Sequence, residues 1–323
     1  MPATPRRRLL RTAVTAMVFL LAVAGWFAWR YRSVDVEARD LDDAARKTAS
    51  GSFARTSAGL VNYELAGPAD APVVVLVHGF SVPGYLWDTV FQALTEAGFR
   101  VLRYDLFGRG YSDRPPARYD GSFFDRQLVE LLDVLRIQGT VDLVGSSLGG
   151  PIAAGFSCRH PERTGSLALF DPGYSRGQTL PWNLRLPIIG EYNFATKIAP
   201  RLAESQLADF LHPDRFPDWV ARYRPQMEYR GFRRALLATL RNYLAENWSL
   251  EYDCVGRGTA PVLLVWGKHD RDVPFETSRD VLAAIPRAKF LAVEDAAHVP
   301  FLEHPEITGP ALVEFLARLN RQK

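Results

Sequence analysis

The sequence predicts an α/β fold: a mostly parallel, doubly wound sheet with a helical cap insertion, preceded by an N-terminal transmembrane segment. Three observations predict it. Apolar runs that suit strands alternate with stretches that suit helices from about residue 59 to 171 and again from 261 to 319. One of those runs, Val141-Asp142-Leu143-Val144, ends in Gly145-Ser146-Ser147-Leu148-Gly149-Gly150, which reads as a strand turning abruptly into a helix. Between the two tracts, residues 173–259 lose the alternation and become proline-rich and aromatic-rich helical text.

The N-terminal segment opens with Arg6, Arg7, Arg8 and Arg11, continues with residues 12–29 without a charge, and closes on Arg30-Tyr31-Arg32. Eighteen helical residues at ~1.5 Å each reach ~27 Å, which just spans a bilayer core. Trp26, Trp29 and Tyr31 suit its interface. Four arginines before the run and two after it favour a cytoplasmic N-terminus with the rest of the chain exported. A cleaved signal peptide is the alternative, since Ala22-Val23-Ala24 is an A-x-A site. The apolar run continues past that site, which favours the anchor. These six arginines also account for the formal net charge of +3; the remainder has 33 basic against 36 acidic residues. A mildly acidic body gives no footprint for nucleic acid.

Residues 33–51 mix charge with alanine and read as a stalk or surface helix. The core then occupies 52–172 and 260–323, with the cap at 173–259. Residues 59–65 alternate like a half-buried strand, and 73–77 form a β-branched run suited to a strand covered on both faces. Helix 86–97, strand 101–105, helix 123–137, strand 141–145, helix 148–160 and strand 166–171 follow. After the insertion come strand 261–266, helix 276–284, strand 290–293 and helix 305–319. Cys158 and Cys254 are too few for a disulfide framework and read as structural thiols, able to pair only if the fold joins them. Nothing in the sequence sets an oligomeric state.

Gly145 and Gly149 flank Ser147 at minus two and plus two, fitting a turn too tight for side chains that leaves the serine exposed at a helix N-terminus. A serine hydroxyl needs an imidazole to take its proton and a carboxylate to orient that imidazole. Asp270, after one late strand, and His298, after the last, supply these in the order Ser, Asp, His. Loops at the carboxyl edge of a parallel sheet are where such folds place chemistry. An oxyanion would be held by two backbone N–H groups, those of Leu148 and, from the loop after 73–77, Phe80.

On these residues the chain resembles the α/β-hydrolase superfamily, in particular its serine esterases and monoacylglycerol lipases. The matching text also includes His78-Gly79-Phe80, Asp105-Leu106-Phe107-Gly108-Arg109-Gly110-Tyr111-Ser112-Asp113-Arg114-Pro115, residues 267–274, and His298 with Glu303-His304-Pro305-Glu306, so the resemblance covers about 52–320. It implies Ser147 as nucleophile, Asp270 as acid, His298 as base, Phe80 and Leu148 as oxyanion donors, and 173–259 as a cap over the site. The expected substrate is a small or medium apolar ester, such as a monoacylglycerol; a serine-dependent carbon–carbon bond hydrolase is the alternative. A catalytically silent binding protein is a further one. Ser146 stands where many lipases have histidine, which bears on substrate class.

Several residues have competing assignments. Asp171 also ends a strand and is a rival acid, although it reads equally as the start of the turn Asp171-Pro172-Gly173. Asp272 reads as a surface or loop-bracing carboxylate. His78 reads as a brace for the oxyanion loop, His160 and His304 as structural, and His212 and His269 have no claim. No histidine pair has zincin spacing, and Gly108-Arg109-Gly110 lacks the third glycine of a dinucleotide loop, so neither metal nor cofactor is implied. The cap aromatics are expected mostly to form the cap's own core, with some lining the acyl or alcohol pocket.

Overall fold

The computed structural model describes residues 5–320. The first four residues of the N-terminal segment and the last three of the core lie outside the described residues, as do the side chains of Arg6, Arg7 and Arg8. Helix α1 (Pro5–Ser33) carries the N-terminal segment, and its stretch Leu9–Ser33 is long and apolar enough to cross a membrane. None of its most apolar window is buried, so it is not a core helix.

Residues 34–51 do not form the surface helix that the charge pattern allowed. They run extended apart from α2 (Asp43–Arg46), whose first turn is capped by Asp42 accepting the Ala45 N–H at 2.8 Å. The sheet begins with β1 (Ser52–Thr56), which sequence alone did not indicate, and β2 (Gly59–Ala66). It continues through β3 (Val73–Val77), helix α3 (Asp88–Glu96), β4 (Arg100–Tyr104), helix α4 (Gly121–Val134), β5 (Val141–Ser146), helix α5 (Gly149–Arg159) and β6 (Thr164–Phe170). The insertion holds short helices α6 (Trp182–Arg185), α7 (Ile189–Asn193), α8 (Leu202–Ser205) and α9 (Trp219–Tyr223), then α10 (Phe232–Asn242) and α11 (Ser249–Arg257). After it come β7 (Val262–Gly267), α12 (Ser278–Ala284), β8 (Lys289–Val293), α13 (Pro300–Glu303) and α14 (Pro305–Asn320).

The eight strands lie in the order β1-β2-β4-β3-β5-β6-β7-β8, antiparallel at β1/β2 and β2/β4 and parallel from there on. Side chains alternate along a strand, so each central strand feeds two cores. Val75 and Val77 pack with Leu143, Leu167 and α4, while Val74 and Leu76 pack with Val144, Ala168 and α14. Both faces being covered is why these strands are continuous apolar runs. The edge strand β8 is exposed at Lys289 and Phe290.

Helix α11, which falls in the span expected for the cap, packs on α5 and α12 instead. Cys158 of α5 and Cys254 of α11 form a disulfide with Cα atoms 6.0 Å apart, so the expectation of two structural thiols is corrected. The bond closes a loop with a sequence separation of 96 and so ties α11, at the C-terminal end of the insertion, to the helix that follows Ser147. A loop of that size corresponds to ~4 to 5 kcal/mol in the chain-entropy model. The Cys158→Ala/Cys254→Ala double variant is expected to lose about 3 to 5 kcal/mol of stability, read as a lower urea midpoint; an unchanged midpoint would show that the crosslink does not constrain the unfolded chain.

Candidate active site

Ser147 sits between β5 and α5 with φ +51°, a left-handed conformation that an ordinary residue holds only under constraint. The flanking glycines supply the constraint. A Cβ on Gly145 would lie 2.3 Å from the Gly149 carbonyl oxygen, and one on Gly149 would lie 2.1 Å from that of Val77. Any larger side chain would push the turn off β3 and off itself. Ser146, one residue earlier, is buried, whereas Ser147 is partly accessible and borders two cavities of about 410 and 100 Å³.

His298 and Asp270 meet on adjacent strand-end loops. His298 Nδ1 lies 2.8 Å from Asp270 Oδ2, and the Asp270 side chain is fully buried. Its other oxygen, Oδ1, accepts the N–H groups of Asp272 at 2.8 Å and Val273 at 3.0 Å, which fixes the carboxylate's plane. His298 lines the smaller cavity together with Ser147 and Phe80. Phe80 and Leu148 both border the larger one beside Ser147. Among the described residues no protein acceptor takes their N–H groups, so both are free for a ligand.

Asp171 joins this pair rather than replacing Asp270. Oxygen or nitrogen atoms of Asp171, Asp270 and His298 all lie within 4.8 Å of one another, and all three residues are buried. Asp171 Oδ1 accepts the Gly267 N–H at 2.8 Å, while Oδ2 has no hydrogen-bond donor as an ionised group. Burial, then the charge of Asp270, pushes the Asp171 carboxyl well above the usual carboxylate range. Burial and the neighbouring Asp270 thus favour the protonated form of Asp171. For His298, burial opposes the charge, but Asp270 foremost, with Asp209 and Asp171, outweighs it and raises the imidazole to about 10.

The supports of the loop after β3, expected to hold an oxyanion, are buried and polar. His78 Nδ1 donates to the Gly79 carbonyl at 2.9 Å and Nε2 accepts the Leu106 N–H at 2.9 Å, so it is a neutral brace, its pKa held down to about 3 by burial. The expectation for His78 thus matches its geometry. Arg109, buried without a carboxylate, donates to the Phe80 carbonyl at 2.7 Å, the Phe107 carbonyl at 3.0 Å and Thr239 at 3.0 Å. Its guanidinium fixes the peptide of Phe80 from behind, a role hidden in the sequence behind an ordinary Gly-Arg-Gly turn.

Glu303 is a second residue whose role the sequence concealed. Wholly buried, it accepts the Ala297 N–H at 2.7 Å through Oε2, and those of Leu211 at 2.8 Å and His212 at 3.1 Å through Oε1. The His298 N–H donates to the Asp209 carbonyl at 2.9 Å. The histidine loop and the insertion are thereby fastened together. Asp272, expected as a surface or loop-bracing carboxylate, braces Asp270 through its N–H and is also a wall of both cavities. His160 binds Asp125 at 3.1 Å and His304 binds Glu306 at 2.8 Å, remote from Ser147, while His212 faces Asp295 at 3.2 Å.

Residues 72–305 match the family model described as alpha/beta hydrolase fold. A 2-hydroxymuconate semialdehyde hydrolase of a Pseudomonas species is 30% identical over 76% of this chain and 87% of that protein. A 2-hydroxy-6-oxononadienedioate/2-hydroxy-6-oxononatrienedioate hydrolase of Cupriavidus pinatubonensis is 32% identical over 77% of this chain and 88% of its own length. Among solved structures, an enol-lactonase from Burkholderia xenovorans superposes with a TM-score of 0.71 over 82% of this chain and 100% of that one, at 23% identity, which speaks for the fold.

Removing the Glu303 carboxylate leaves the buried Ala297 N–H unpaired at a cost of about 1 to 3 kcal/mol, and frees the part-buried N–H groups of Leu211 and His212, which water reaches more readily. Glu303→Ala is accordingly expected to lose about 2 kcal/mol or more, measured by chemical denaturation; a loss under about 1 kcal/mol would mean that water or a neighbour replaces the carboxylate.

Proposed function

This chain belongs to the alpha/beta hydrolase family, and from that premise we propose that it is a serine hydrolase that cleaves uncharged carboxylic esters. The observation that carries the ester assignment is the lining of the cavities at Ser147: Phe80, Leu148, Leu244, Trp248 and Val273 give the larger one apolar walls, and no lysine or arginine is among the described residues that border either. The relatives' names describe hydrolases of dicarboxylates and a hydroxymuconate semialdehyde. A substrate carboxylate would find no lysine or arginine among the described residues of either cavity to pair with. A neutral ester needs no such partner, and Phe80, Leu244, Trp248 and Val273 offer it apolar walls.

Ser147 Oγ attacks the ester carbonyl as His298 Nε2 takes its proton; Nδ1 stays on Asp270. The Phe80 and Leu148 N–H groups receive the oxyanion. His298 returns the proton to the leaving alcohol, and water repeats the sequence on the acyl-enzyme. The second assignment, carbon–carbon bond cleavage in a vinylogous diketone, follows from the names of those relatives. A substrate panel separates the two: hydrolysis of neutral esters without turnover of ring-cleavage dienoates supports the ester assignment, and the reverse overturns it.

We place the catalytic body outside the cytoplasm, with α1 as its anchor. The arginine asymmetry supports this orientation, and so does the Cys158–Cys254 disulfide, which persists in oxidising compartments. The cleaved signal peptide is the competing processing route.

Ser147→Ala is expected to reduce ester hydrolysis at least a thousandfold without unfolding the protein. Asp270→Asn should cost about a thousand- to ten-thousandfold, because the amide favours the wrong imidazole tautomer. Asp171→Asn, which replaces a carboxyl already holding a proton, should cost less than about tenfold; reversed rankings in steady-state kinetics would move the acid to Asp171.

His298 serves as a base only when neutral, and its neighbours raise its pKa to about 10. Below that value the neutral fraction grows by about tenfold per pH unit. The kcat/KM for a soluble neutral ester should therefore climb through the range from 7 to 9. A profile that is flat or falling there would show that the carboxylates do not hold His298 protonated in the free enzyme.

A further inference from the structure

The insertion carries an apolar patch that neither the catalytic site nor the core uses. Outside α1, the described residues include nine exposed large hydrophobic side chains, and four of them, Trp182, Leu186, Ile188 and Ile189, fall within eight residues. Ile188 is 83% exposed and takes φ +65°, a conformation unfavourable for a β-branched residue. The backbone behind the patch is nonetheless well held. Arg241 donates to the Leu184 carbonyl at 2.7 Å and the Leu186 carbonyl at 3.1 Å, and Asn193 donates to that of Asn183 at 3.2 Å. A braced loop that displays its apolar tips to the outside is a surface waiting for an apolar partner.

The position of α1 identifies that partner. Phe27 packs edge-on against Tyr192, just past the patch, with ring centroids 5.0 Å apart. Phe27 lies six residues before the helix end at Ser33, ~9 Å along the axis at ~1.5 Å per residue. Interfacial segments bury their apolar faces to a depth of ~5–10 Å. If α1 crosses a bilayer, a segment resting on Phe27 lies at that depth. The arrangement is also fixed from the other side, because Glu37 accepts the N–H groups of Gly231 and Arg233 at 2.9 and 2.6 Å, docking the stretch after α1 on the insertion. Residues 173–190 contain no acid; Arg176 is paired with Asp280 at 3.1 Å, and Arg185 is exposed beside the patch.

We propose that residues 182–189 form a second membrane-contacting element, seated in the interfacial layer of the bilayer that α1 crosses, and that Ser147 draws long-chain neutral esters from that layer. This rests on the anchor and ester assignments above. The route is short: Gly173, Tyr174, Ser175 and Gln178 line the cavity at Ser147, and the chain reaches Trp182 four residues later.

The test uses the full chain in phosphatidylcholine/phosphatidylglycerol vesicles. An environment-sensitive fluorophore on Ile188→Cys, with the native cysteines joined to each other, should be quenched by lipids spin-labelled near the head of the acyl chain and shielded from iodide. A probe open to iodide and indifferent to those lipids overturns the proposal. In parallel, the Trp182→Ser/Ile188→Ser/Ile189→Ser variant should lose at least tenfold in rate on a long-chain monoacylglycerol held in the vesicles, and less than twofold on p-nitrophenyl acetate. Equal rates on the vesicle ester, or equal losses on both, overturn it. Carbonate extraction reports separately on α1: protein that resists extraction with a water-exposed probe keeps the anchor and defeats the patch. Extractable protein that floats with vesicles and has a lipid-quenched probe does the opposite. An enzyme silent on both esters defeats the ester assignment, and the probe alone then decides for the patch.

Discussion

Gly149 can rest against the Val77 and His78 carbonyls only because it has no side chain, and the site depends on that approach. It lets β5 turn into α5 within a few residues and forces Ser147 into a left-handed backbone that lifts its side chain off the sheet. The same contact brings the loop after β3 beside the serine: a Cβ on Gly79 would lie 3.2 Å from that of Ser147. The two N–H groups proposed to hold an oxyanion come from opposite sides of this contact, one from Phe80 and one from Leu148. A turn that is costly by itself is paid for by the two apolar cores that clamp β3 and β5 on both faces.

Around the turn the protein uses buried charge for positioning, and each charge is satisfied differently. Arg109 spends its donors on carbonyls and a hydroxyl, so it holds the Phe80 peptide without drawing a carboxylate into the site. Glu303 spends its acceptors on backbone N–H groups from two separate segments. Asp171 avoids a second negative charge beside Asp270 by keeping its proton. Asp270 remains the carboxylate that faces His298, with its second oxygen locked by the turn at Asp272 and Val273.

Much of this was legible in the sequence because the sheet is covered on both faces. Val73–Val77 and the apolar part of Val262–Gly267 are unbroken apolar runs, and the turn glycines are forced by sterics, so β3, β7 and the strand-end positions of Ser147, Asp270 and His298 could be read directly. β1 could not be, since Ser52-Phe53-Ala54-Arg55-Thr56 is an edge strand with too few apolar positions to show a period. The Cys158–Cys254 bond was hidden because it depends on α11 packing against α5, a contact between residues 96 apart. Asp171 and Glu303 were visible as residues but not in their roles, which come from what burial places beside them rather than from spacing.

The insertion is fastened unevenly, and this bears on how substrate reaches the serine. At 209–212 it is tied to the histidine loop through Glu303 and the Asp209 carbonyl, and at 231–239 it is tied to Glu37 and Arg109. Motion there would drag His298 or the Phe80 loop with it. The polar ties behind residues 184–186 run instead to Arg241, within the insertion itself. The first residues of the stretch 173–190 are held, since the Gly173 N–H donates to the Ser147 carbonyl at 2.8 Å and Arg176 binds Asp280 at 3.1 Å, so it is residues 184–186 that have their ties within the insertion alone. Tyr192, just past these residues, packs on Phe27 of α1, so the part of the insertion whose ties are its own lies next to the part that meets the apolar helix.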